Sequence, residues 1–232
     1  MARHPTARRV HREAPSSDDA FIEGVLRASA WAKERSKPLT IGAIVLVALV
    51  AGTILFRNHR AALRAAAATQ LAQIRQTAQS GNDALAIRDI QTYLDQYGGT
   101  PSANEARLLL ADVAIRAGQP QTAIDAVEPI SRDLDEPLGT PAAFLLAASH
   151  EAAQQADRAE QIYLRIADGA PYVFQRERAL DDAARIRMEQ GNAAGAAEAY
   201  GWIIELLPLD DPNRAIYEMR RAEAQTRAST PR

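Results

Sequence analysis

The longest uninterrupted run of apolar side chains is LTIGAIVLVALVAGTILF, which occupies residues 39–56 and contains no charged residue. A helix rises about 1.5 Å per residue, so this run would span roughly 27 Å, close to the ~30 Å hydrocarbon core of a bilayer. A helix that packs against the core of a soluble protein normally has a polar face toward solvent, and this run has none. The pattern therefore predicts a transmembrane helix. Its anchoring side chains are Leu39, Ile41, Val45, Leu49, Ile54 and Phe56.

A cleavable signal peptide is the alternative interpretation of this run. The 38 residues that precede it are long for the basic region of a signal peptide, and the run exceeds the usual ~7–15 apolar residues. The residues that follow, RNHRAALRAAAA, are basic, whereas a cleavage region is short and neutral. These features favour an uncleaved anchor.

Positive charges predict the orientation of the anchor. Residues 1–38 contain eight lysines and arginines, whereas residues 57–76 contain four. Because the more basic flank of a membrane helix stays in the cytoplasm, we expect a cytoplasmic N-terminus. The C-terminal part would then lie in the periplasm of a Gram-negative bacterium. The protein is thus expected to be a single-pass protein of the inner, or cytoplasmic, membrane.

The residues before the anchor divide into two segments. Residues 1–16 are predicted to form a basic, disordered tail, either solvated or in contact with anionic lipid. Residues 17–37 are predicted to form a short cytoplasmic amphipathic helix with Phe21 and Val25 on its apolar stripe. This helix would lie in the membrane interface or dock on a partner protein.

Beyond the anchor, one alanine recurs in a constant setting, at Ala86, Ala123, Ala159 and Ala196, with spacings of 37, 36 and 37 residues. Large apolar residues follow each alanine at positions +4 and +7, and position −5 is glycine, which tolerates a tight helix exit, in three of the four copies. The +4 set is Ile90, Val127, Tyr163 and Tyr200; the +7 set is Tyr93, Ile130, Ile166 and Ile203; the −5 set is Gly81, Gly118, Gln154 and Gly191.

This recurrence predicts helical hairpins. The small alanine lets the second helix of a hairpin lie close against the first, and the larger residues fill the space toward the next hairpin. Residues 57–211 are predicted to form about four stacked hairpins, and residues 212–232 a capping helix and tail. The expected fold is all-α, with a single transmembrane helix followed by a helical-hairpin solenoid and its C-terminal cap. The predicted packing residues are Ala86, Ala123, Ala159, Tyr163, Ala196 and Tyr200.

The alanine, aromatic and proline positions resemble those of the tetratricopeptide repeat over about residues 70–208, without the early tryptophan and glycine–tyrosine pair of that repeat. The spacing exceeds the usual ~34 residues, which predicts slightly longer inter-helix loops. The layout, DDAFIEGVLRASAWAKERSKPLTIGAIVLVALVAGTILFRNHR followed by repeats, also resembles the YfgM-like family of bacterial inner-membrane proteins. That resemblance implies an accessory of the protein-translocation channel that works with periplasmic chaperones.

Composition narrows the range of functions. The net charge of −2 argues against nucleic-acid binding, and the absence of cysteine excludes disulfides and thiolate zinc sites. The sequence has no phosphate-binding glycine loop, HExxH motif or nucleophile elbow, so we expect no enzyme activity, cofactor, metal or small-molecule substrate. His150 is expected to be a packed histidine, and the adjacent carboxylates Asp181 and Asp182 to lie on solvated faces.

The expected function is that of a non-enzymatic, membrane-anchored scaffold for protein–protein interaction, as an accessory of the protein-translocation channel that links it to periplasmic chaperones. The alternative is a structural or assembly subunit of a large respiratory or photosynthetic inner-membrane complex, with the repeats bracing a periplasmic subunit. Other membrane and periplasmic proteins would be the partners in either case. Candidate partner-binding residues on the concave face of the first helices, unless simply solvated, are Asp112, Arg116, Phe144, Glu151, Asp181 and Arg185.

Overall fold

The computed structural model describes residues 17–34 and 36–230, and its chain divides into two compact units, residues 1–60 and 61–232. Within the described stretches the regular structure is helical, without a strand, as the sequence predicts. The α-helices are α1 (Ser17–Glu34), α2 (Ser36–Gln79), α3 (Asp83–Tyr97), α4 (Ser102–Arg116), α5 (Pro120–Val127), α6 (Gly139–Ala152), α7 (Ala156–Gly169), α8 (Val173–Glu189), α9 (Ala193–Leu206) and α10 (Arg214–Ser229).

The first unit contains α1 and the N-terminal part of α2. All side chains that the structure describes between positions 40 and 60 are exposed. Helix Thr40–Gln79 includes an 18-residue window with a mean hydropathy of 2.2, long and apolar enough to cross a membrane by length and composition. The predicted tail, residues 1–16, and the side chain of Leu39 lie outside the described part of the chain. The other predicted anchor side chains, Ile41, Val45, Leu49, Ile54 and Phe56, are exposed.

The second unit is a stack of helical hairpins. Its N-terminal part is the end of α2, where Ala67, Leu71 and Ile74 join the same buried cluster as Ala86 and Ile90 of α3. The chain then folds through α4 and α5, α6 and α7, and α8 and α9, with each helix packed against its neighbours in sequence. This arrangement confirms the predicted all-α solenoid, because each hairpin covers an apolar face of the next.

Small side chains bring the helices together. Ala86, Ala123, Ala159 and Ala196 are completely buried, and each lies on the second helix of its hairpin. An alanine at a crossing point allows a short distance between helix axes, and large neighbours then fill the remaining space at close-packed density. The neighbours at +4 are buried in every copy, as Ile90, Val127, Tyr163 and Tyr200.

A left-handed residue separates the two helices of each hairpin. Gly81, Gly118 and Gly191 have φ angles of 81°, 69° and 79°, and Gln154 occupies the equivalent place at 59°. In three copies the next residue donates its backbone N–H to a carbonyl five residues earlier, as Gln155 does to His150 at 2.8 Å. This is the hydrogen bond of a helix end that turns through a left-handed residue. The recurring position at −5 therefore serves the turn.

The second hairpin departs from the predicted pattern. Helix α5 ends at Val127, and a 3-10 turn, Glu128–Ile130, follows it. Pro129 has no backbone N–H and cannot continue an α-helix, so Ile130 is half-buried in that turn rather than fully packed at +7. The segment 131–138 is a long connection in one repeat only. The connections 98–101 and 170–172 in the other two repeats are short, so longer loops do not account for their 37-residue spacing, contrary to the prediction.

The segment 131–138 is fixed to the stack. Thr140 Oγ1 donates to the Leu134 carbonyl at 3.0 Å, and Arg165 Nη2 donates to the Ser131 carbonyl at 3.2 Å. Gly139 packs so closely that an added Cβ would lie 1.7 Å from the Asp133 carbonyl oxygen. These contacts hold the entrance to α6, the helix that carries Phe144.

Helix α10 closes the stack at its C-terminal end. It buries Tyr217 and Ala224, and the ring centroids of Tyr200 and Tyr217 are 6.3 Å apart. Arg214 Nη1 donates to the carbonyl oxygens of Ile204 at 2.6 Å and Leu207 at 3.2 Å. Since Ile204 lies in the last turn of α9 and Leu207 is its C-cap residue, Arg214 satisfies acceptors that the helix itself leaves free.

Candidate interaction face

The six predicted partner-binding residues lie in pairs on α4, α6 and α8, the first helices of three successive hairpins. We call the surface formed by these helices the first-helix face. The structure places four of the six side chains, Arg116, Glu151, Asp181 and Arg185, in ion pairs that join neighbouring elements.

The α4 pair forms a cluster at one end of the first-helix face. Arg116 pairs with Asp112 one turn earlier and donates from Nη2 to Asp83 Oδ1 of α3 at 3.2 Å. A second pair, Arg75 with Glu105, joins α2 to α4. The cleft between them has a volume of about 590 Å³. Because each described charge here already has an opposite partner, the cluster offers a ligand little net charge.

Glu151 and Arg185 form a network that joins the third hairpin to the fourth. Arg185 Nη2 donates to Glu151 Oε2 at 2.8 Å, and Tyr163 OH donates to Glu151 Oε1 at 2.7 Å. Burial, reinforced by that donated hydrogen bond, raises the pKa of Tyr163 above its ordinary value, so its hydroxyl remains a donor at neutral pH. These side chains therefore stabilise the stack.

The adjacent carboxylates of α8 correct one expectation. They were predicted to lie on solvated faces, but the side chains of Asp181 and Asp182 are only 34% and 26% exposed. Arg220 of α10 donates to Asp181 Oδ1 at 2.5 Å, while Asp182 Oδ1 lies 3.5 Å from Arg185. The two carboxylates point in different directions, as expected for neighbours on a helix. Burial raises the pKa of Asp182, and the arginines oppose this effect.

Phe144 lines the open part of the first-helix face. It belongs to a groove of about 420 Å³, which we call the aromatic groove. The Phe144 and Tyr163 ring centroids are 6.1 Å apart, and the Arg178 guanidinium carbon lies 4.7 Å from the Phe144 centroid. The lining residues from α6, α7 and α8 are Pro141, Phe144, Leu145, Ala148, Tyr163, Phe174, Gln175 and Arg178.

Two features of the aromatic groove were missed by sequence reasoning. Gln175 Oε1 is buried and has no hydrogen-bond partner among the residues that the structure describes. Tyr172 and Phe174, whose stacked ring centroids are 5.7 Å apart, extend the apolar surface at the start of α8, and both are largely exposed. The signal available in the sequence was the run of tyrosine, valine and phenylalanine directly after Pro171.

His150 is placed as the sequence predicts. It is buried, and its Nδ1 lies 2.8 Å from Gln155 Oε1. In the described ranges, histidine, aspartate and glutamate side chains do not form a group of three or more suited to a metal ion.

Comparison with known proteins agrees with this architecture. A putative kinesin light chain from Podosopora anserina, with nearly identical TPR-like repeats, matches with a TM-score of 0.53 and 18% identity, over 69% of this chain and 85% of that chain. A single-substitution variant of that protein matches equally well. This likeness concerns the fold. No curated protein matches the sequence.

The profile of the family described as tetratricopeptide repeat-like domain matches residues 29–206, which is more than half of the chain. This fold is generally a non-catalytic module for protein–protein interaction. The chain belongs to the tetratricopeptide repeat-like domain family.

Proposed function

We propose that this protein is a membrane-anchored scaffold that binds other proteins through its repeats. The observation that carries the proposal is the contrast within α2. Its apolar N-terminal part exposes large side chains such as Val45 and Leu49, whereas its C-terminal part buries Leu71 and Ile74 in the repeat core. An apolar surface around a whole helix calls for a lipid or protein environment. Residues 39–56 would be the anchor.

The proposed location is the bacterial inner membrane, with the N-terminus in the cytoplasm and the repeats in the periplasm. The excess of lysine and arginine before the span supports this orientation. Within that location, we infer a role as an accessory of the protein-translocation channel that links it to periplasmic chaperones. The resemblance in layout to the YfgM-like proteins supports this role, and a stack of repeats suits it because adjacent hairpins create an extended binding surface.

We propose the first-helix face as the surface that contacts the partner. Glu151, Arg185 and Asp181 would mainly shape this face, since each already forms ion pairs with other helices. Phe144 would contact the partner directly, because it lines the open groove.

A structural or assembly role in a large inner-membrane complex is the second candidate. The apolar stripe of α1 favours it, because Phe21, Ile22, Val25 and Leu26 are all exposed. On the cytoplasmic side of the span, neighbouring subunits of a respiratory or photosynthetic complex would cover such a stripe, while the repeats would brace a periplasmic subunit.

Purification of the tagged full-length chain after mild-detergent extraction, followed by mass spectrometry, separates the two candidates. The first predicts recovery of translocation-channel subunits and periplasmic foldases. Stoichiometric recovery with one respiratory or pigment complex would replace it with the second. A photo-crosslinking residue at Asp112, on the first-helix face, should capture the partner, whereas one at Gln161, exposed on α7, should not. Equal capture at both positions would contradict the proposed face.

A further inference from the structure

We propose that the repeat stack docks on the surface of the bilayer that holds the anchor, and that Tyr172, Val173 and Phe174 insert into the phospholipid interface. We call these three residues at the start of α8 the apolar tip. The inference rests on the proposed anchor, residues 39–56, and adds a second lipid contact more than a hundred residues further along the chain. The direction of the helices, the reach of the chain and the exposure of the tip carry it.

The first helices of the hairpins begin at one edge of the stack. Links of three residues within each hairpin, such as 80–82 and 190–192, make its two helices antiparallel. The left-handed turns therefore lie at one edge, which we call the turn edge. The N-terminal ends of α4, α6, α8 and α10 lie at the opposite edge, together with the beginning of the packed part of α2. We call this the entry edge, because the chain enters the stack there.

The entry edge cannot lie far from the membrane. The second unit begins at Ala61, five residues after Phe56, the last residue of the proposed anchor. Even a fully extended chain spans at most ~3.6 Å per residue, so Ala61 stays within about 18 Å of the hydrocarbon core. The headgroup layer accounts for about 5–8 Å of that distance. A side chain at the level of Ala61 can therefore reach the lipid interface.

The apolar tip lies at the level where the chain enters the stack. Val173 stands 18 residues before the left-handed Gly191, and Leu63 stands 18 residues before the left-handed Gly81. Left-handed residues occupy equivalent places in the repeats, so the start of α8 corresponds to the third residue of the second unit. The tip is thus at the part of the stack that the anchor holds near the bilayer.

Exposed apolar side chains collect at the entry edge. In the described part of the second unit nine large apolar side chains are exposed, of which six lie at the entry edge and only Leu85 at the turn edge. The Tyr172 and Phe174 rings stack with their centroids 5.7 Å apart, so the tip presents one aromatic surface. Such a surface suits the membrane interface, where aromatic rings are enriched. The six residues are Leu63, Tyr172, Val173, Phe174, Leu209 and Ile216.

A lipid surface fits the tip better than a protein partner does. Three residues cover much less than the ~800 Å² that each partner contributes to a standard protein interface. The anchor already confines the stack to the membrane surface, so docking is an intramolecular step at high effective concentration. A patch too small to bind a free partner is sufficient under that condition.

The charges around the tip favour apolar insertion over attraction to anionic lipid. Residues 169–176 contain no carboxylate, so the tip carries no negative charge into the interface. The link 131–138 carries three exposed carboxylates, and it lies beside the tip, since an added Cβ on Gly169 would be 3.1 Å from Leu134 Cδ1. These carboxylates offset any gain from anionic headgroups. We therefore expect equal docking on neutral and anionic bilayers.

Lipid quenching of a site-specific label on the full-length chain in phosphatidylcholine vesicles tests the inference. The chain has no cysteine, so one introduced cysteine can carry the fluorophore NBD. The three positions are Val173→Cys in the tip, Leu49→Cys in the anchor and, as the matched control, Leu85→Cys at the turn edge. We expect blue-shifted emission and quenching by nitroxide-labelled lipid at positions 173 and 49, and neither effect at position 85.

The three positions distinguish failure of the inference from failure of the anchor. Quenching at 49 without quenching at 173 would overturn the docking and leave the anchor in place. No quenching at 49 would contradict the proposed anchor itself. A blue shift at 173 without quenching would mean that protein, such as a second copy of the chain, covers the tip, and would overturn the inference. Equal quenching at 173 and 85 would also overturn it, because the entry edge would have no preference.

Charged substitutions in the tip separate docking from folding. Tyr172→Glu together with Phe174→Glu, in the Val173→Cys chain, should abolish the quenching because carboxylates resist transfer into lipid. The melting temperature should not change, since the native side chains are 60% and 66% exposed. The conservative pair Tyr172→Phe and Phe174→Leu should retain the quenching. Persistent quenching in the glutamate variant would overturn the inference.

Lipid composition tests the expected balance of forces. Vesicles that also contain phosphatidylglycerol should quench the label at position 173 to the same extent, within about twofold, because the tip inserts through its apolar surface. Quenching that appears only with the anionic lipid would show that charge attracts the stack to the membrane. That result would overturn insertion of the apolar tip.

Discussion

The two parts of α2 are both helical, but the first part exposes its side chains and the second part buries one face. From residue 40 to residue 60 every described side chain is exposed, including Leu49 at 64%, whereas Leu71 and Ile74 further along are only 2% and 5% exposed. Both parts carry enough apolar side chains to favour burial against lipid or against other helices. The first part is rich in Ile, Val and Leu around the whole helix, and the second alternates alanine with polar residues.

This difference shows that the arrangement of apolar residues, rather than their number, determines what covers a helix. A stripe of alanines and leucines matches one neighbouring helix and leaves a polar face for water. Apolar residues on all sides match a lipid environment. One helix thus provides both a proposed anchor and the first layer of the repeat stack.

Reciprocal arginine substitutions give the largest expected effect and address the contrast directly. Leu71→Arg buries a charge without a partner, and should destabilise the repeats by more than about 4 kcal/mol while membrane association persists. Leu49→Arg should weaken membrane insertion by about 2.5–3.5 kcal/mol and leave the melting temperature of the repeats unchanged. Circular dichroism and carbonate extraction of membranes measure the two properties. If either variant impairs both properties, the two parts of α2 are not independent.

Overpacking tests the need for small residues in the stacked part. Ala159→Trp inserts a large ring at a completely buried crossing point, and should cost about 3 kcal/mol or more with loss of protease resistance. Gln161→Trp, on the exposed side of the same helix, should change stability by less than about 0.5 kcal/mol. An Ala159→Trp protein as resistant as wild type would show that the repeat register is wrong.

Substitutions at the left-handed turn positions should change the stability of the repeats by smaller amounts, with opposite signs at Gly118 and Gln154. Gly118→Ala should destabilise the repeats by about 1 kcal/mol, because alanine is strained at a φ of 69° although space is available. Gln154→Gly should stabilise them by about 0.5–1 kcal/mol, because it relieves the same strain at 59°. Urea denaturation measures both changes. Destabilisation by Gln154→Gly would mean that other contacts of Gln154 outweigh its backbone strain.

The smallest expected effect concerns Asp182. Burial raises its pKa, so the folded state binds a proton more readily than the unfolded state, and stability falls as pH rises through the acidic range. Asp182→Asn should therefore raise the melting temperature at pH 7 by no more than ~2–4 °C, the shift that about 1 kcal/mol produces in a domain of this size. The gain should vanish below about pH 3, where the wild-type carboxyl is protonated in both states. A gain that is the same at both pH values would exclude this electrostatic origin.

The fold was largely predictable from the sequence because its determinants are local and repeated. The alanine at each crossing, the large residue four positions later and the turn residue five positions earlier recur with the hairpin. Gln154 aligns with the glycines of the other copies at −5, and it shares their positive φ. Pro129 accounts for the shortened α5, because proline cannot continue a helix, whereas the uniform repeat pattern predicts a full second helix there.

The candidate face was less predictable because it depends on contacts between distant residues. Glu151 pairs with Arg185, and Asp181 with Arg220, each more than thirty positions away. The repeat register places such residues on a face but does not say which of them neutralise one another. Of the six predicted residues, Phe144 lies in the aromatic groove, while Gln175 and Arg178 gained importance only from their surroundings.

Protease protection in spheroplasts tests the central claim, an anchored stack of repeats on the far side of the membrane, most directly. The full-length chain carries one epitope tag at its N-terminus and another at its C-terminus. Added protease should remove the C-terminal tag and leave the N-terminal tag intact until detergent opens the membrane. A C-terminal tag that remains protected in intact spheroplasts would contradict the claim.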